Sequence, residues 1–302
     1  MSSVSFIIPI FNKSSFLSLV INCLKNQNGS YKKEFIFIND GSTDDSLKIL
    51  KKETRKMKNC KIIIQKNRGS AHATNKGIKA AKMKYIKFLD ADDVILRDTT
   101  LCLLNILEKN PNLVLAYGLQ RKVSNLKDVN LDQEFNHQNY KIIKNTVRKA
   151  MRNSMFNPSQ CLVRTKFCKK VGGCDERIKF SQEYSLTLRL SLLGNFAMLN
   201  FPTTILPHNA PGQISEKKNN QISRVSKALE LFLEDNPNID IRYKLYAQRR
   251  LTARAWRFAK RFKKANLLSN WFQLYLKGFF RFRNNILNNC KNANRIYEEF
   301  LD

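Results

Sequence analysis

Short apolar runs alternate with longer amphipathic ones through the first half of the chain. Residues 5–10 (SFIIPI), 34–38 (EFIFI), 61–65 (KIIIQ), 85–89 (YIKFL) and 113–117 (LVLAY) are rich in β-branched and aromatic residues and have strand length. Between them, residues 14–25 carry Phe16, Leu17, Val20, Ile21 and Leu24 at helical spacing. A second helix carries Leu47, Ile49 and Leu50, with Thr43 or Asp44 as its cap. Residues 70–81 form a helix of small side chains, and 101–107 form another. Strands that alternate with helices predict an α/β fold: a mostly parallel sheet with helices on both faces. Residues 119–157 are mostly polar and less regular. Residues 160–163 return to a strand, 172–176 (GGCDE) form a loop, and 182–193 form an amphipathic helix.

Ligands of such sheets bind beyond the carboxyl ends of the strands. Polar clusters stand at four successive ends: Pro9-Ile10-Phe11-Asn12, Asn39-Asp40-Gly41-Ser42, Asn67-Arg68-Gly69 and Asp90-Ala91-Asp92-Asp93. Any one of them alone is an ordinary turn; together they line one crevice. Asp90 and Asp92, flanked by Asp93, repel one another unless a cation intervenes. Their hard oxygens suit Mg²⁺ or Mn²⁺ shared with substrate phosphates. The plain alternative is a polar turn in which Asp93 or Asp98 caps the next helix. Asp40 is placed to accept hydrogen bonds from a nucleobase or ribose, with Gly41 free to turn at positive φ. No GxGxxG follows the first strand, which disfavours a dinucleotide-binding site, and no GxxxxGK[ST] occurs, so a P-loop is absent.

Composition adds an anionic partner. Lys and Arg number 54 against 24 Asp and Glu, a formal charge of +30 in 302 residues. Phosphate-bearing ligands, an acidic membrane surface or nucleic acid all meet that excess. At 43% hydrophobic residues the chain has material for a large core. The seven cysteines form no CxxC, which predicts neither a disulfide framework nor a zinc site and fits a reducing cytoplasm. The opening apolar run is too short for a signal peptide, and no stretch approaches the ~20 apolar residues of a transmembrane helix. Any membrane contact is therefore expected to be peripheral, at the inner face.

Taken in order, SFIIPIFN, NDGSTDDS, NRGSAHATNKG, FLDADD and GGCDE…QEYSLTLRLSLLG resemble the family 2 glycosyltransferases of GT-A fold, over about residues 4–215. The resemblance implies an inverting, metal-dependent transfer from a UDP- or other nucleotide-diphospho-sugar donor to a glycan or lipid-linked acceptor, in cell-surface polysaccharide or lipopolysaccharide synthesis. Pro9 and Phe11 would contact base and ribose, and Asp40 the base. Asp90 would face the ribose or donor sugar, and Asp92 would hold Mn²⁺ or Mg²⁺ on the diphosphate. Asn39, Asn67, Arg68 and Ala91 complete the expected donor cradle. Family members commonly carry Glu-Asp at the start of the late helix, the second residue being the candidate base. Here the pair is Gln182-Glu183, and Glu183 inherits the role; as a plain structural residue it would be a first-turn carboxylate favoured by the helix dipole. The family's Ala-Arg-Asn after the third strand is Ala73-Thr74-Asn75 here, so Arg68 or Lys76 is expected to stand in for the missing cation. His208 is a further candidate metal ligand, and residues 119–157 are expected to shape the acceptor side. Other readings are a nucleotidyltransferase, or a degenerate scaffold that binds anions or membranes without catalysis.

Residues 1–215 are thus read as a catalytic domain and 216–302 as a basic, aromatic-rich helical extension. From Arg242 to Arg283 there are 13 Lys or Arg, 11 aromatics and no Asp or Glu. Three readings fit this tail: helices on an anionic membrane surface, aromatics packed on the main domain, or single-stranded nucleic acid, the last disfavoured.

Overall fold

A single eight-stranded sheet organises the first two thirds of the chain. The fold, taken from a computed structural model, is described for residues 2–132, 139–178, 182–208 and 218–300. In chain order the elements are β1 (Ser3–Ile10), α1 (Ser14–Lys25), β2 (Lys32–Asp40), α2 (Ser46–Thr54), β3 (Cys60–Gln65), α3 (Ser70–Ala80), β4 (Tyr85–Phe88), α4 (Thr99–Lys109) and β5 (Leu115–Val123). There follow β6 (Tyr140–Ile143), α5 (Thr146–Arg152), β7 (Cys161–Arg164), α6 (Thr165–Lys170), α7 (Gln182–Ser191) and β8 (Phe196–Pro207). Four helices close the chain: α8 (Lys218–Asp235), α9 (Ile241–Phe262), α10 (Asn270–Phe279) and α11 (Ile286–Asn294).

The strand order is β3-β2-β1-β4-β7-β5-β8-β6. β1 through β4 pair in parallel, as do β5 and β8, while β7 lies antiparallel between β4 and β5, and β6 antiparallel on the edge beside β8. Six strands therefore point their carboxyl ends to one edge, and β7 brings its amino end there. Side chains alternate across β1. Val4, Phe6, Ile8 and Ile10 enter a core with α1, α2 and α4, while Ile7 joins Ile36, Ile38 and α3 on the other face.

The expected strands and helices are present, with two differences. β5 runs on to Val123 through polar residues, because β8 pairs with it as far as Pro207; ladder hydrogen bonds override side-chain polarity there. The stretch 119–157, expected to be irregular, also holds β6 and α5. β6 exposes Lys141 and Ile142 as an edge strand does, so no apolar alternation marks it. The expected division at 215 and 216 lies outside the described residues. What the structure shows around it is a shared core: Tyr184 and Leu188 of α7 and Val147, Ala150 and Met151 of α5 pack with Leu229, Phe232, Leu251, Phe258 and Tyr297 of the C-terminal helices. The seven cysteines are free thiols, six of them buried. Among the described residues no helix is long and apolar enough to cross a membrane.

Candidate active site

The polar clusters meet at the carboxyl edge of the sheet and are tied to one another there. Asn12 turns at φ 52°, and its side-chain oxygen accepts the Thr43 backbone N–H at 2.8 Å while its own N–H reaches Ser42 Oγ at 3.1 Å. Asp44 serves two helix starts, accepting from the Ser46 N–H of α2 and the Ser14 N–H of α1, both at 3.0 Å. Partial burial opposes its ionisation, but the hydrogen bonds from Ser46 and Ser14 outweigh that and draw the carboxyl down to about 2. The turn after β1 is thereby locked onto the turn after β2.

Asp40 locks the third turn. Its carboxylate is buried and accepts from Gln65 Nε2 at 2.7 Å and from the backbone N–H groups of Arg68 and Gly69, both at 2.9 Å. Gln65 Nε2 also lies 3.0 Å from His72 Nδ1. Gly41, at φ 71°, allows the close approach this needs, since a Cβ there would stand 2.7 Å from the Asn67 backbone nitrogen. Asn67 and the side chain of Arg68 are exposed along this loop. Asn39 is buried beside them with its Oδ1 unpartnered. Phe11 is 45% exposed, Pro9 is half-buried, and Ala91 is buried.

The acidic cluster follows β4. The Asp90 N–H donates to Ser159 Oγ at 2.9 Å, which pins the turn to the segment just before β7. Burial first, then the charges of Asp92 and Glu183, push the Asp90 carboxyl up to about 7, against the opposing pull of Lys13 and Lys87. Glu183, on the first turn of α7, is thus near enough for its charge to act on Asp90. Glu183 is only half-buried by exposure, yet desolvation carries its own carboxyl up to about 7. Asp93 does not cap α4. It is buried with Oδ2 unpartnered, and desolvation followed by repulsion from Asp90 and Asp92 holds it well above the usual carboxylate range.

Two lysines face these acids. Lys13 Nζ pairs with Asp92 Oδ2 at 2.7 Å, both side chains being mostly buried. Lys87, in the middle of β4, is fully buried and donates to the carbonyl oxygens of Ser159 and Phe88. Burial lowers it to about 8. Neither was legible as a site residue: Lys13 follows a turn, a common place for lysine, and Lys87 interrupts a short apolar strand, where the sequence alone does not tell a buried lysine from a solvent-facing one. Lys13 and Lys87 are thus two cations beside the acidic cluster. The Arg68 backbone N–H, by contrast, is committed to Asp40.

α7 is held in place from two sides. Asn75 Oδ1 accepts the Cys174 N–H at 2.7 Å and its Nδ2 donates back to the Cys174 carbonyl at 2.9 Å, fixing the loop before α7. Asp175 accepts from Arg177 and Arg189, and both arginines reach Asp235 at the end of α8. On the far side, Tyr184 donates its hydroxyl to the Met151 carbonyl within the C-terminal core. His208 is exposed at the end of β8, with its backbone N–H on the Val123 carbonyl. The antiparallel bridge between Val94 and Ile205 brings that end of β8 alongside the chain leaving the Asp cluster.

The carboxylates suit a divalent ion shared with a phosphate ligand: Asp92 offers oxygen beside a second acidic group, and Asp93 Oδ2 is an orphan acceptor. Among the described residues no three His, Cys, Asp or Glu side chains form a ready-made metal cage.

The model of Glycosyl transferase family 2 matches residues 5–172. An uncharacterized glycosyltransferase of Haemophilus influenzae is 38% identical over 121 residues, 39% of this chain and 47% of that protein. Poly-beta-1,6-N-acetyl-D-glucosamine synthase of Staphylococcus epidermidis is 34% identical over 119 residues, 39% of this chain and 28% of the synthase. Each match therefore spans less than half of the relative's own length. The fold resembles that of S. aureus TarS 1-349 in complex with UDP-GlcNAc, with a TM-score of 0.67 at 15% identity, covering 98% of this chain and 92% of that one.

Proposed function

Because the chain belongs to glycosyl transferase family 2, we propose that it transfers a sugar, with inversion, from a UDP- or other nucleotide-diphospho-sugar to a glycan or lipid-linked acceptor in cell-surface polysaccharide synthesis. The observation that carries this reading is the acidic cluster after β4, at the carboxyl edge of the sheet: Asp90 tied to Ser159, Asp92 paired with Lys13, and Asp93 buried. A degenerate scaffold would have no reason to keep three carboxylates crowded together at an energetic cost. A UDP-linked donor is supported by the UDP-GlcNAc complex of a protein of like fold and by the N-acetylglucosamine product of the related synthase.

In this mechanism Glu183 accepts the proton of the acceptor hydroxyl as its oxygen attacks the anomeric carbon. The bond from that carbon to the diphosphate breaks in line, and its electron pair leaves with the nucleotide. Asp90 faces the ribose or donor sugar. Phe11 and Pro9 offer apolar surface to the base, beside the unpartnered oxygen of Asn39. Asp40 orders the loop that carries Asn67 and Arg68, so its part in base binding is shared with a structural one. Asp92, with His208 nearby, would hold Mn²⁺ or Mg²⁺ on the diphosphate, and such an ion offsets charge on the leaving group. Lys13 supplies fixed positive charge at the same place.

Residues 1–215 act as the catalytic unit in this reading. Residues 216–302 brace α7 and bring the enzyme to the inner face of an anionic membrane from the cytoplasm. The test is a screen of nucleotide sugars for Mn²⁺-dependent hydrolysis and thermal stabilisation. Stabilisation by a UDP-sugar that requires the metal and is lost in Asp92→Asn is expected. Absence of both effects across the common donors would overturn the assignment.

A further inference from the structure

α10 is apolar on two sides, and only one of them is covered. Gly278 faces α9 so closely that a Cβ would stand 2.1 Å from Thr252 Oγ1, and Trp271, on the same face two turns earlier, packs against the C-terminal core. Phe272, Leu276 and Phe279 recur four and three residues apart on the other side and remain partly or largely exposed.

The uncovered side belongs to a continuous row of rings. Trp256 of α9 meets Phe272 at 5.1 Å, and the row continues through Tyr275, Phe279, Phe280 and Phe282 with successive centroids 6.0, 5.9, 5.2 and 6.5 Å apart. Phe280 is 64% and Phe282 56% exposed, and the α9–α10 turn adds Leu268 at 85%. Isolated exposed apolar residues need no explanation, whereas a contiguous patch does. Cations border it: Arg257, Lys260, Arg261, Lys277, Arg281 and Arg283 are all exposed, and no acid interrupts the span from Arg242 to Arg283.

We propose that this aromatic row is the surface by which the protein lies in an anionic lipid interface, with the Leu267-Leu268 turn and the Phe279–Phe282 end entering the acyl boundary and the flanking cations meeting the headgroups. The charge pattern selects this occupant. Aromatics ringed by cations with no acid match a surface apolar below and anionic above. A second copy of the chain would bring like charge against like. Among the described residues no helix is long and apolar enough to cross a bilayer, and the row is a surface contact in this proposal. The α9 helix that carries part of the row shares a core with α7, so docking holds the site next to the bilayer, where a lipid-linked acceptor resides. This last point rests on the proposed function; the docking itself does not.

The experiment is flotation of the full chain with vesicles of phosphatidylcholine alone or mixed with phosphatidylglycerol. Trp256 and Trp271, the two tryptophans, provide a fluorescence readout. Binding to the anionic vesicles with a blue shift is expected. Phe280→Glu with Phe282→Glu is expected to weaken it about ten-fold or more, with unchanged thermal melting and unchanged donor hydrolysis. Arg281→Gln with Arg283→Gln is expected to cost up to roughly five-fold per cation at low salt. Failure to bind anionic vesicles at low salt, or binding indifferent to the Phe→Glu pair, would sink the proposal. So would a dimer in solution that the same pair disperses, since the row would then belong to a second copy. Vesicle binding without any donor hydrolysis would leave the docking surface standing and remove the enzymatic reading.

Discussion

Glu183 meets two demands that pull against each other. As the proposed base it must be ionised, yet desolvation raises its carboxyl to about 7. Activity is therefore expected to fall as pH drops below about 7, with an acid limb in kcat that Glu183→Gln abolishes. That substitution is expected to lower kcat by ~10²–10⁴ while sparing donor binding. The same shift has a sign in stability. A carboxyl whose folded pKa is raised favours the folded state fully below its unfolded value of 4.5, and that advantage is lost as pH rises through about 7. Glu183→Gln is thus expected to be more stable than the parent at pH 8, by roughly 2–3 kcal/mol at most, and to match it at pH 4. Equal stability at both pH values would mean that the carboxyl is not desolvated. Asp40 makes a second residue-scale test. Asp40→Asn turns an acceptor of three hydrogen bonds into a group that presents an amide to some of those donors. A loss of about 1–3 kcal/mol in urea unfolding is expected, together with weaker UDP binding. Weaker UDP binding at unchanged stability would make the contact with the base the dominant role.

At the scale of elements, β4 and α7 carry the residues of the proposed chemistry, and each is braced by an element distant in sequence. Lys87 neutralises charge beneath the Asp cluster while satisfying the Ser159 carbonyl. Lys87→Met is expected to destabilise the protein by about 3–5 kcal/mol, because acidic groups are left buried without their counter-charge. Chemical denaturation would measure it, and a loss below about one kcal/mol would show that the lysine is dispensable. Asn75→Ala frees the loop that leads into α7. The expected result is a lower kcat with little change in donor affinity, since a small displacement of a catalytic group costs rate before binding.

Across the whole molecule, the C-terminal helices close the core behind α7 rather than hang from the catalytic part. Removing residues 218–302 uncovers Tyr184, Leu188 and Met151 on one face. The shortened protein is expected to aggregate or bind a hydrophobic dye strongly, and to lose donor hydrolysis along with vesicle binding. A soluble, fully active fragment would show that the bundle is an appendage. The +30 charge, concentrated partly in this bundle, makes vesicle association fall as salt rises.

Periodicity alone revealed the strands 5–10, 34–38, 61–65 and 85–89, the helices between them, and the crevice where their polar ends meet, because burial on a parallel sheet writes apolar runs into the chain. It also placed Asp90 and Asp92 at a strand end, whereas Glu183 was marked by the likeness of the ordered motifs to the family. The antiparallel insertion of β7, the edge strand β6 and the extension of β5 were decided by hydrogen bonding between strands far apart in sequence, which leaves no local trace. The same holds for Lys13 on Asp92, Lys87 under the acids, Asn75 on the loop before α7, and the C-terminal core behind Tyr184. Local patterning records which residues must leave water; only the closed fold decides which charges and hydrogen-bonding groups meet once they have.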